Sequence, residues 1–266
     1  MAGFDFGCSS DGTCNIGGYF DIVRDDNGLD QISHLASLGL NAFRLPIGWQ
    51  TLVSGTLGGT INATAVADYY ALIQGCLNSG AAMCLIDIHN YARWNGGIIG
   101  QGGPTNAQFA SVWSQLATKY KTESRIAFGI MNEPHDIPDI VAWAATVQAA
   151  VTAIRNAGAT TQMILLPGNN WTSAETFISN GSGDALKKVV NPDGSVKGLI
   201  MDVHKYLDAD NSGTNTECVT NNIDDAFAPL ATWLRSNGRQ AFLSETGGGN
   251  VASCETYMCQ QLEYLK

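Results

Sequence analysis

The sequence is short of basic residues and contains no apolar run of membrane-spanning length. Its 266 residues include 14 lysines and arginines against 24 aspartates and glutamates, so the formal net charge is −10. That charge would repel a nucleic acid and would not affect a neutral polymer, although solubility alone would also account for it. Residues 1–5 lack the basic and apolar regions of a secretory signal. We therefore expect no membrane span and no nucleic-acid partner, and a secreted protein would have lost its signal from this form of the chain.

Three motifs that commonly mark cofactor sites are also missing. The sequence has no C-x-x-C pair, no H-E-x-x-H and no glycine-rich phosphate fingerprint after a strand-like run. Its 4 histidines are dispersed along the chain. These absences disfavour a zinc site and a nucleotide-binding sheet, and we expect the protein to work without a metal or an organic cofactor.

The cysteines point to an oxidising compartment. Seven cysteines is a high number for a cytosolic protein. Six of them could form three local bridges: Cys8 with Cys14, Cys76 with Cys84, and Cys218 with Cys254. Cys259 would be left over, and scattered free thiols are the alternative. Secretion and glycosylation would also agree with three N-x-S/T triplets, at Asn62, Asn170 and Asn180.

Short apolar runs alternate with helix-like segments along the chain. The runs that predict strands are Asn41–Ile47, Met83–His89, Ile126–Asn132, Met163–Gly168, Leu199–Tyr206 and Gln240–Gly247. The segments that predict helices are 28–38, 65–78, 106–120, 140–156, 223–236 and 254–265. The strand-like runs are almost continuously apolar, as expected for strands buried on both faces of a sheet. The alternation predicts an α/β protein with a parallel sheet, either doubly wound or closed into a barrel.

Polar residues near the ends of the predicted strands favour the barrel. These residues are Arg44, His89, Asn132 with Glu133, His204 with Tyr206, and Glu245. In a TIM (β/α)8 barrel the carboxyl ends of all strands converge on one mouth. Because six strands are recognisable, we expect the first strand to precede Met1 and the last to follow Lys266. The sequence predicts a single domain over residues 1–266, a TIM barrel that is truncated at both ends.

Two glutamates after strands suggest the hydrolysis of a glycosidic bond. Glu133 lies in Asn-Glu-Pro after one strand, and Glu245 lies in Ser-Glu-Thr-Gly after a later strand. One carboxylic acid must protonate the leaving oxygen while the other carboxylate attacks the anomeric carbon, so their surroundings must separate their pKa values. A separation of about 5–5.5 Å would indicate retention of configuration, and a wider one inversion. The alternative is that both acids lie in surface loops.

Longer stretches resemble glycoside hydrolase family 5, one of the clan A barrels, and its fungal secreted endo-β-1,4-glucanases in particular. The similar stretches are Asp87–Tyr91 (DIHNY), Ala92–Gly97 (ARWNGG), Ile130–His135 (IMNEPH) and Asp202–Tyr206 (DVHKY). The resemblance covers nearly the whole chain. It implies a secreted catalytic domain that acts on a β-glucan such as cellulose, and we expect a monomer.

The resemblance also assigns roles to individual residues. It implies that Glu133 is the general acid/base and Glu245 the nucleophile of a retaining double displacement. Arg44 and Tyr206 would hydrogen-bond Glu245, and Asn132 would hold the sugar 2-hydroxyl. Alternatively, Arg44 would form a structural ion pair, and Tyr206 would only line the wall of the cleft.

The same motifs contribute further substrate-binding residues. His89 and His204 would bind the sugar at the cleavage point and support Glu133, unless they are core histidines. Asn90, in the same motif as His89, is also implied to bind substrate. The family carries a tryptophan on its last strand, and neither that strand nor that residue is recognisable in this sequence.

Tryptophans can stack on the apolar faces of sugar rings. Trp94 and Trp171 follow strands in predicted loops and are the candidates for such platforms. Trp49 is a weaker candidate, and a glycan on Asn170 would crowd Trp171. Tryptophans in predicted helices belong to the expected core, and these are Trp113, Trp143 and Trp233.

The sequence therefore predicts an endo-acting β-1,4-glucanase. Another specificity of the same family, such as mannanase or xyloglucanase, is the alternative among enzymes. A glucan-binding fragment without activity is the alternative outside enzymes, because two strands of the expected barrel are missing.

Overall fold

Six parallel strands form the main sheet of the computed structural model, which describes residues 7–16 and 27–266. In spatial order they are β1 (Ala42–Ile47), β2 (Met83–Ile88), β5 (Ile126–Gly129), β6 (Met163–Pro167), β7 (Leu199–His204) and β8 (Ala241–Glu245). A separate antiparallel hairpin consists of β3 (Arg93–Trp94) and β4 (Gly97–Ile98). The six predicted strands are confirmed. The hairpin was not predicted, because two-residue strands are too short to show a period.

The main sheet is strongly curled. Neighbouring strands pair in parallel, with Arg44 of β1 opposite Leu85 of β2 and Met201 of β7 opposite Ala241 of β8. In a flat sheet the outer strands β1 and β8 would lie about 24 Å apart, at ~4.8 Å for each step between neighbours. Nevertheless, the guanidinium of Arg44 contacts the carboxylate of Glu245 at the end of β8. The six strands therefore form part of a barrel wall.

Helices pack against the sheet and against each other. They are α1 (Gly28–Ser37), α2 (Trp49–Leu52), α3 (Ala67–Asn78), α4 (Asn106–Tyr120), α5 (Ile140–Asn156), α6 (Ser182–Leu186), α7 (Ala228–Asn237) and α8 (Ala252–Leu265). Helix α4 buries Phe109, Trp113 and Leu116, which share one face at helical spacing. Thr105 and Gln108 form a capping box at its start, which stabilises a helix by about 1 kcal/mol. In the described part of the chain, no helix has the length and apolar character needed to cross a bilayer.

The tryptophans divide between the core and the surface. Trp113 and Trp143 are fully buried, and Trp233 packs against the core, as predicted. Trp49 was wrongly considered as a weak platform candidate, because its side chain is 0% exposed. The chain turns directly from β1 into α2, and this turn places the Trp49 ring 5.4 Å from Phe109 in the core.

Four of the six predicted helices begin or end at different residues in the structure. The segment predicted as one helix from residue 223 begins as a π-helical turn, Ile223–Phe227, which continues into α7. Pro229 lies in the first turn of α7, where the missing N–H of proline is tolerated. Helix α8 starts at Ala252, two residues before the predicted start at residue 254.

The three proposed disulfide bridges are confirmed. Cys8 is bonded to Cys14, Cys76 to Cys84 and Cys218 to Cys254. Cys259 is exposed on α8 and is unpaired within the described residues. The third bridge spans 36 residues and joins the loop after β7 to α8.

Removing the bridge between Cys218 and Cys254 should destabilise the protein. Because the bridge closes a loop of 36 residues, the double variant Cys218→Ser/Cys254→Ser should lose about 3–4 kcal/mol of unfolding free energy. Urea unfolding of the oxidised proteins measures this loss. Cys259→Ser, on the same helix, is the matched control and should unfold like the wild type. Equal stability of the double variant and the control would contradict the stabilising role of the bridge.

Candidate active site

The carboxyl ends of the parallel strands bring a cluster of polar side chains together at one mouth. Arg44 comes from β1, His204 and Glu245 end β7 and β8, and Asn132 and Glu133 follow β5. The pairing of β7 with β8 shifts register between Val203 and His204, where His204 faces Glu245. The sequence prediction that these distant residues meet is borne out by the contacts below.

Glu245 is held as a carboxylate by three partners. Its Oε1 accepts a hydrogen bond from the guanidinium of Arg44, and its Oε2 accepts one from the hydroxyl of Tyr206 at 2.8 Å. His204 Nδ1 lies 3.6 Å from the same oxygen. Burial alone would raise the pKa of Glu245, but the charges of His204 and Arg44 outweigh it and lower that pKa well below its usual range. Glu245 is therefore ionised at neutral pH.

Glu133 has a different environment. Its Oε1 lies 2.7 Å from His204 Nδ1, and its described polar neighbours include no arginine contact of the kind that Glu245 makes. Its backbone has a φ of 38°, in the left-handed region, which is unfavourable for a residue with a side chain. Carboxylate oxygens of Glu133 and Glu245 lie within 4.8 Å of each other. The mouth thus contains two adjacent glutamates with different hydrogen-bond partners.

A chain of hydrogen bonds runs from Glu133 into the barrel interior. The second ring nitrogen of His204, Nε2, lies 2.9 Å from Ser244 Oγ, and Ser244 donates its hydroxyl proton to Asp202. Because Ser244 donates its only proton to Asp202, it has none left for His204, so His204 donates through Nε2. Its other nitrogen, Nδ1, is then the position that gains or loses a proton, and it faces Glu133.

The pKa values along this chain shift according to burial and charge. Burial opposes the charged form of His204, but the neighbouring carboxylates of Glu245 and Glu133 outweigh it and raise the pKa of His204. Burial also raises the pKa of Asp202. The Glu133–His204 pair can therefore hold a proton at its shared hydrogen bond.

A second buried network holds Arg44. Its guanidinium donates to Asn132 Oδ1 at 2.6 Å and pairs with Asp87 at 3.0 Å, while His89 Nδ1 lies 2.6 Å from Asp87. Asn132 Nδ2 is buried and has no hydrogen-bond partner among the described residues. Because its oxygen is already used by Arg44, the amide has two N–H groups left to donate to a ligand in the mouth.

The acids Asp87 and Asp202 and the hydroxyl of Ser244 were missed by the sequence analysis. A signal for the two acids was present, since each precedes a histidine by two positions, in Asp87-Ile-His89 and Asp202-Val-His204. Residues i and i+2 of a strand face the same side, so each acid points into the barrel with its histidine.

Two predicted substrate-binding residues lie outside this cluster. Asn90 is 0% exposed and its amide is used by the core, accepting from the backbone N–H of Trp49 at 2.6 Å and donating to Gln50 at 2.7 Å. Trp94 packs edge-on against Trp49 at 5.0 Å and is partly buried against the core. Both residues therefore support the loop after β2.

Trp171 is the most exposed aromatic platform near the mouth. Its residue is 37% exposed, its edge meets Tyr91 with ring centroids 5.8 Å apart, and one face stacks on His135. Burial, Glu133 and Glu245 all raise the pKa of Tyr91, so this tyrosine lies within the field of the two glutamates and stays protonated. The aromatic group therefore adjoins the polar cluster.

Comparisons with known proteins agree on one family. Residues 9–266 match the family model described as cellulase (glycosyl hydrolase family 5). The chain is 62% identical over 273 residues to endoglucanase EG-II of Hypocrea jecorina, and the alignment covers 100% of this chain and 65% of that protein. It is 51% identical over 267 residues to manganese dependent endoglucanase Eg5A of Phanerodontia chrysosporium, of which it covers 67%.

A solved structure agrees with these relatives. The crystal structure of Cel5A (EG2) from Hypocrea jecorina (Trichoderma reesei) is 61% identical and superimposes with a TM-score of 0.91, covering 99% of this chain and 82% of that one. The predicted TIM-barrel class is thereby confirmed, with six parallel strands that form a curled part of the barrel. The chain spans 65% of the length of EG-II.

The mouth does not fit a resident metal ion. Among the described residues, Glu133, His204 and Glu245 could together offer ligand atoms within 4.8 Å of one another. These atoms are already engaged, Glu133 with His204 and Glu245 with Tyr206 and Arg44. The guanidinium bound to Glu245 would also repel a divalent cation. This donor set suits proton transfer better than metal coordination.

The raised pKa of His204 predicts a pH-dependent contribution to stability. Since the folded-state pKa exceeds the unfolded one, this contribution is complete below about pH 6.5 and is lost as pH rises through the folded value. Relative to His204→Gln, the wild type should therefore be favoured more at pH 5 than at pH 9. The change should be ~1.4 kcal/mol for each unit of pKa difference. Urea unfolding at both pH values measures it.

The exposed histidine of α1 provides the matched control. His34→Gln should show the same pH dependence as the wild type, because His34 lies outside the polar cluster. If His204→Gln and His34→Gln had identical profiles, the charged state assigned to His204 would be wrong.

Proposed function

Because the chain belongs to the cellulase family, glycosyl hydrolase family 5, we propose that it cleaves internal β-1,4-glucosidic bonds of cellulose or a related β-glucan. The observation that carries the proposal is the pair of glutamates in the mouth, whose oxygens lie within 4.8 Å of each other. Among the described residues, only Glu245 of the two is bound by an arginine. Glycosidic cleavage needs such a pair, one carboxyl group protonated and the other ionised.

Glu245 is the nucleophile in this proposal. Its short separation from Glu133 supports retention, because an inverting enzyme needs about 6.5–9.5 Å to admit a water molecule between its acids. The ionised carboxylate attacks the anomeric carbon and forms a glycosyl ester as the bond to the leaving oxygen breaks. Arg44 and Tyr206 keep Glu245 ionised and orient it for attack.

Glu133 is the general acid and then the general base. It gives its proton to the leaving oxygen in the first step, and in the second it takes a proton from the water that hydrolyses the ester. His204 can exchange a proton with Glu133 through Nδ1 while Ser244 holds its Nε2–H. Because Glu133 takes a proton from water in the second step, each cycle restores the proton that Glu133 gave to the leaving oxygen.

Neutral groups around the glutamates would bind the sugar. The unpartnered N–H groups of Asn132 can donate to the 2-hydroxyl, a contact that strengthens in the transition state. His89 is 5% exposed and borders the same network through Asp87. Trp171 offers an indole to the apolar face of a neighbouring sugar ring.

Secretion is part of the proposal. Three disulfide bridges are typical of an extracellular protein. Of the three N-x-S/T sites, Asn62 and Asn170 are exposed, whereas the Asn180 amide is partly buried and donates to the backbone of Asn169. A glycan on Asn170 would crowd the neighbouring Trp171. Asn62 is therefore the best candidate for glycosylation.

Another specificity within the family is the main alternative. The 2-hydroxyl is equatorial in glucose and axial in mannose, so the position of Asn132 should favour one of them. Rates on carboxymethylcellulose, mannan and xyloglucan, measured with the same preparation, distinguish these substrates. Binding of cello-oligosaccharides without turnover would instead favour a glucan-binding role.

Substitution of the two glutamates should separate binding from chemistry. Glu245→Ala should abolish turnover but retain cello-oligosaccharide binding, because it removes the nucleophile and little contact area. Glu133→Gln should lower kcat by about 10²–10⁴-fold, most strongly for substrates with poor leaving groups. Steady-state kinetics and calorimetry measure both effects.

A carboxylate at the other end of the sheet serves as the control. Glu123 precedes β5 and pairs with Arg125, so Glu123→Gln should leave kcat unchanged. Near-normal rates in Glu245→Ala and Glu133→Gln would exclude the proposed mechanism.

A further inference from the structure

We propose that His135, as its imidazolium, is a positioning residue that clamps the Trp171 indole against the loop closed by Cys8 and Cys14. This inference rests on the proposed function, since Trp171 matters only if a sugar stacks on it. His135 lies two residues after Glu133 but takes no part in the hydrogen bonds of the two glutamates. It links the aromatic group to a separate loop.

The first part of the clamp is a parallel stack. The rings of His135 and Trp171 have centroids 4.0 Å apart and planes inclined by 5°. Tyr91 meets the indole edge-on at an angle of 72°. One indole face is therefore covered by His135, and Trp171 is still 37% exposed. That exposure leaves indole surface for a sugar ring.

The second part is a pair of hydrogen bonds that require a fully protonated ring. His135 Nδ1 lies 2.7 Å from a carboxylate oxygen of Asp136, and Nε2 lies 2.9 Å from the backbone carbonyl of Ser10. A backbone carbonyl can only accept, and an ionised carboxylate can only accept. The hydrogen bond from His135 lowers the pKa of Asp136, which keeps that carboxylate ionised. Both nitrogens must therefore donate, which makes the ring a cation stacked on an indole.

The loop that contains Ser10 is fixed by a disulfide bridge and by backbone hydrogen bonds. Its bridge joins Cys8 to Cys14, and backbone N–H groups of Asn95 and Gly96 donate to the carbonyls of Gly12 and Asp11 at 3.1 and 2.8 Å. Gly12 has a φ of 74°, and a Cβ there would lie 2.6 Å from the backbone of Arg93. The loop is thus seated on the β3–β4 hairpin.

Trp171 needs such a support because its own backbone is unfavourable. Asn170, Trp171 and Thr172 have φ values of 54°, 59° and 49°, all in the left-handed region. The Thr172 hydroxyl anchors one end of this turn by donating to the carbonyl of Asp202 at 2.6 Å. The Trp171 N–H donates to Pro134 at 3.0 Å. These bonds fix the backbone, and the stack on His135 fixes the ring.

Charged and titratable groups lie around His135 on several elements. Asp136 belongs to its own loop, Asp11 lies in the disulfide loop and Arg93 is the basic residue of the hairpin, while Glu133 and Tyr91 lie on the side of the mouth. Carboxylates outnumber guanidinium groups in this set. If His135 lost a proton, one ring nitrogen would face an acceptor with a lone pair, and the clamp would loosen.

The order of the Trp171 indole in the free protein tests the clamp without any ligand. The near-ultraviolet circular dichroism of the wild type should change between pH 5 and pH 8, the interval in which histidines titrate. His135→Phe keeps a stacking ring but cannot donate, so it should lose this change, as should Trp171→Phe. His34→Phe, at the exposed histidine of α1, should keep it. A wild-type signal that does not depend on pH, or a change that persists in His135→Phe, would overturn the proposal.

Sugar binding tests the functional consequence. In the Glu245→Ala background at pH 5, His135→Ala should weaken cellopentaose binding by about 3- to 30-fold, and the loss should shrink at pH 8. In the otherwise unchanged enzyme, His135→Ala should raise KM and leave kcat nearly constant. Urea unfolding shows whether each variant is folded.

The two proposals fail in different ways. If cellopentaose binds Glu245→Ala equally well with and without His135, but more weakly after Trp171→Ala, the clamp is wrong and the glucanase assignment stands. If the parent variant binds no β-glucan, the proposed function is wrong, and the ring-order experiment alone decides the clamp.

Discussion

The contact between Arg44 and Glu245 is the constraint on which the mouth of the barrel depends. It joins the first and last strands of the main sheet, which could not meet if the sheet were flat. The same guanidinium also binds Asn132 and Asp87. One cation therefore joins the two outer strands, orients the Asn132 amide and, together with His204, keeps Glu245 ionised.

The two glutamates are both partly buried, but they have different hydrogen-bond partners. Glu245 is bound by a permanent cation and a tyrosine, whereas Glu133 is bound by a histidine that can exchange its proton. A serine and an aspartate behind that histidine decide which of its nitrogens titrates. In the proposed mechanism, proton transfer at the surface of the mouth is therefore organised from inside the barrel.

Much of this arrangement could be predicted from the sequence, because parallel strands deliver their polar ends to one place. The meeting of Glu133, His204 and Glu245 was predicted in this way, whereas the strands were predicted from apolar runs and the disulfide bridges from the number and spacing of the cysteines. The burial of Trp49 and Asn90 could not be predicted, because both follow strands and a linear pattern does not show the direction of a side chain after a strand ends. The His135 stack depends on three loops distant in sequence, and no local period encodes it.

The mouth carries more negative than positive charge. Burial opposes the charged form of Arg44, but the charges of Asp87, Glu245, Asp202 and Glu133 outweigh it and raise its pKa above the ordinary value. An intact, neutral polysaccharide would gain little binding free energy from such a field. A sugar ring with oxocarbenium character at its anomeric carbon carries partial positive charge, and the field then attracts it. In the proposed function, the excess of carboxylates would therefore discriminate between the resting polymer and the species that forms as its bond breaks, which is the selectivity that a catalyst requires.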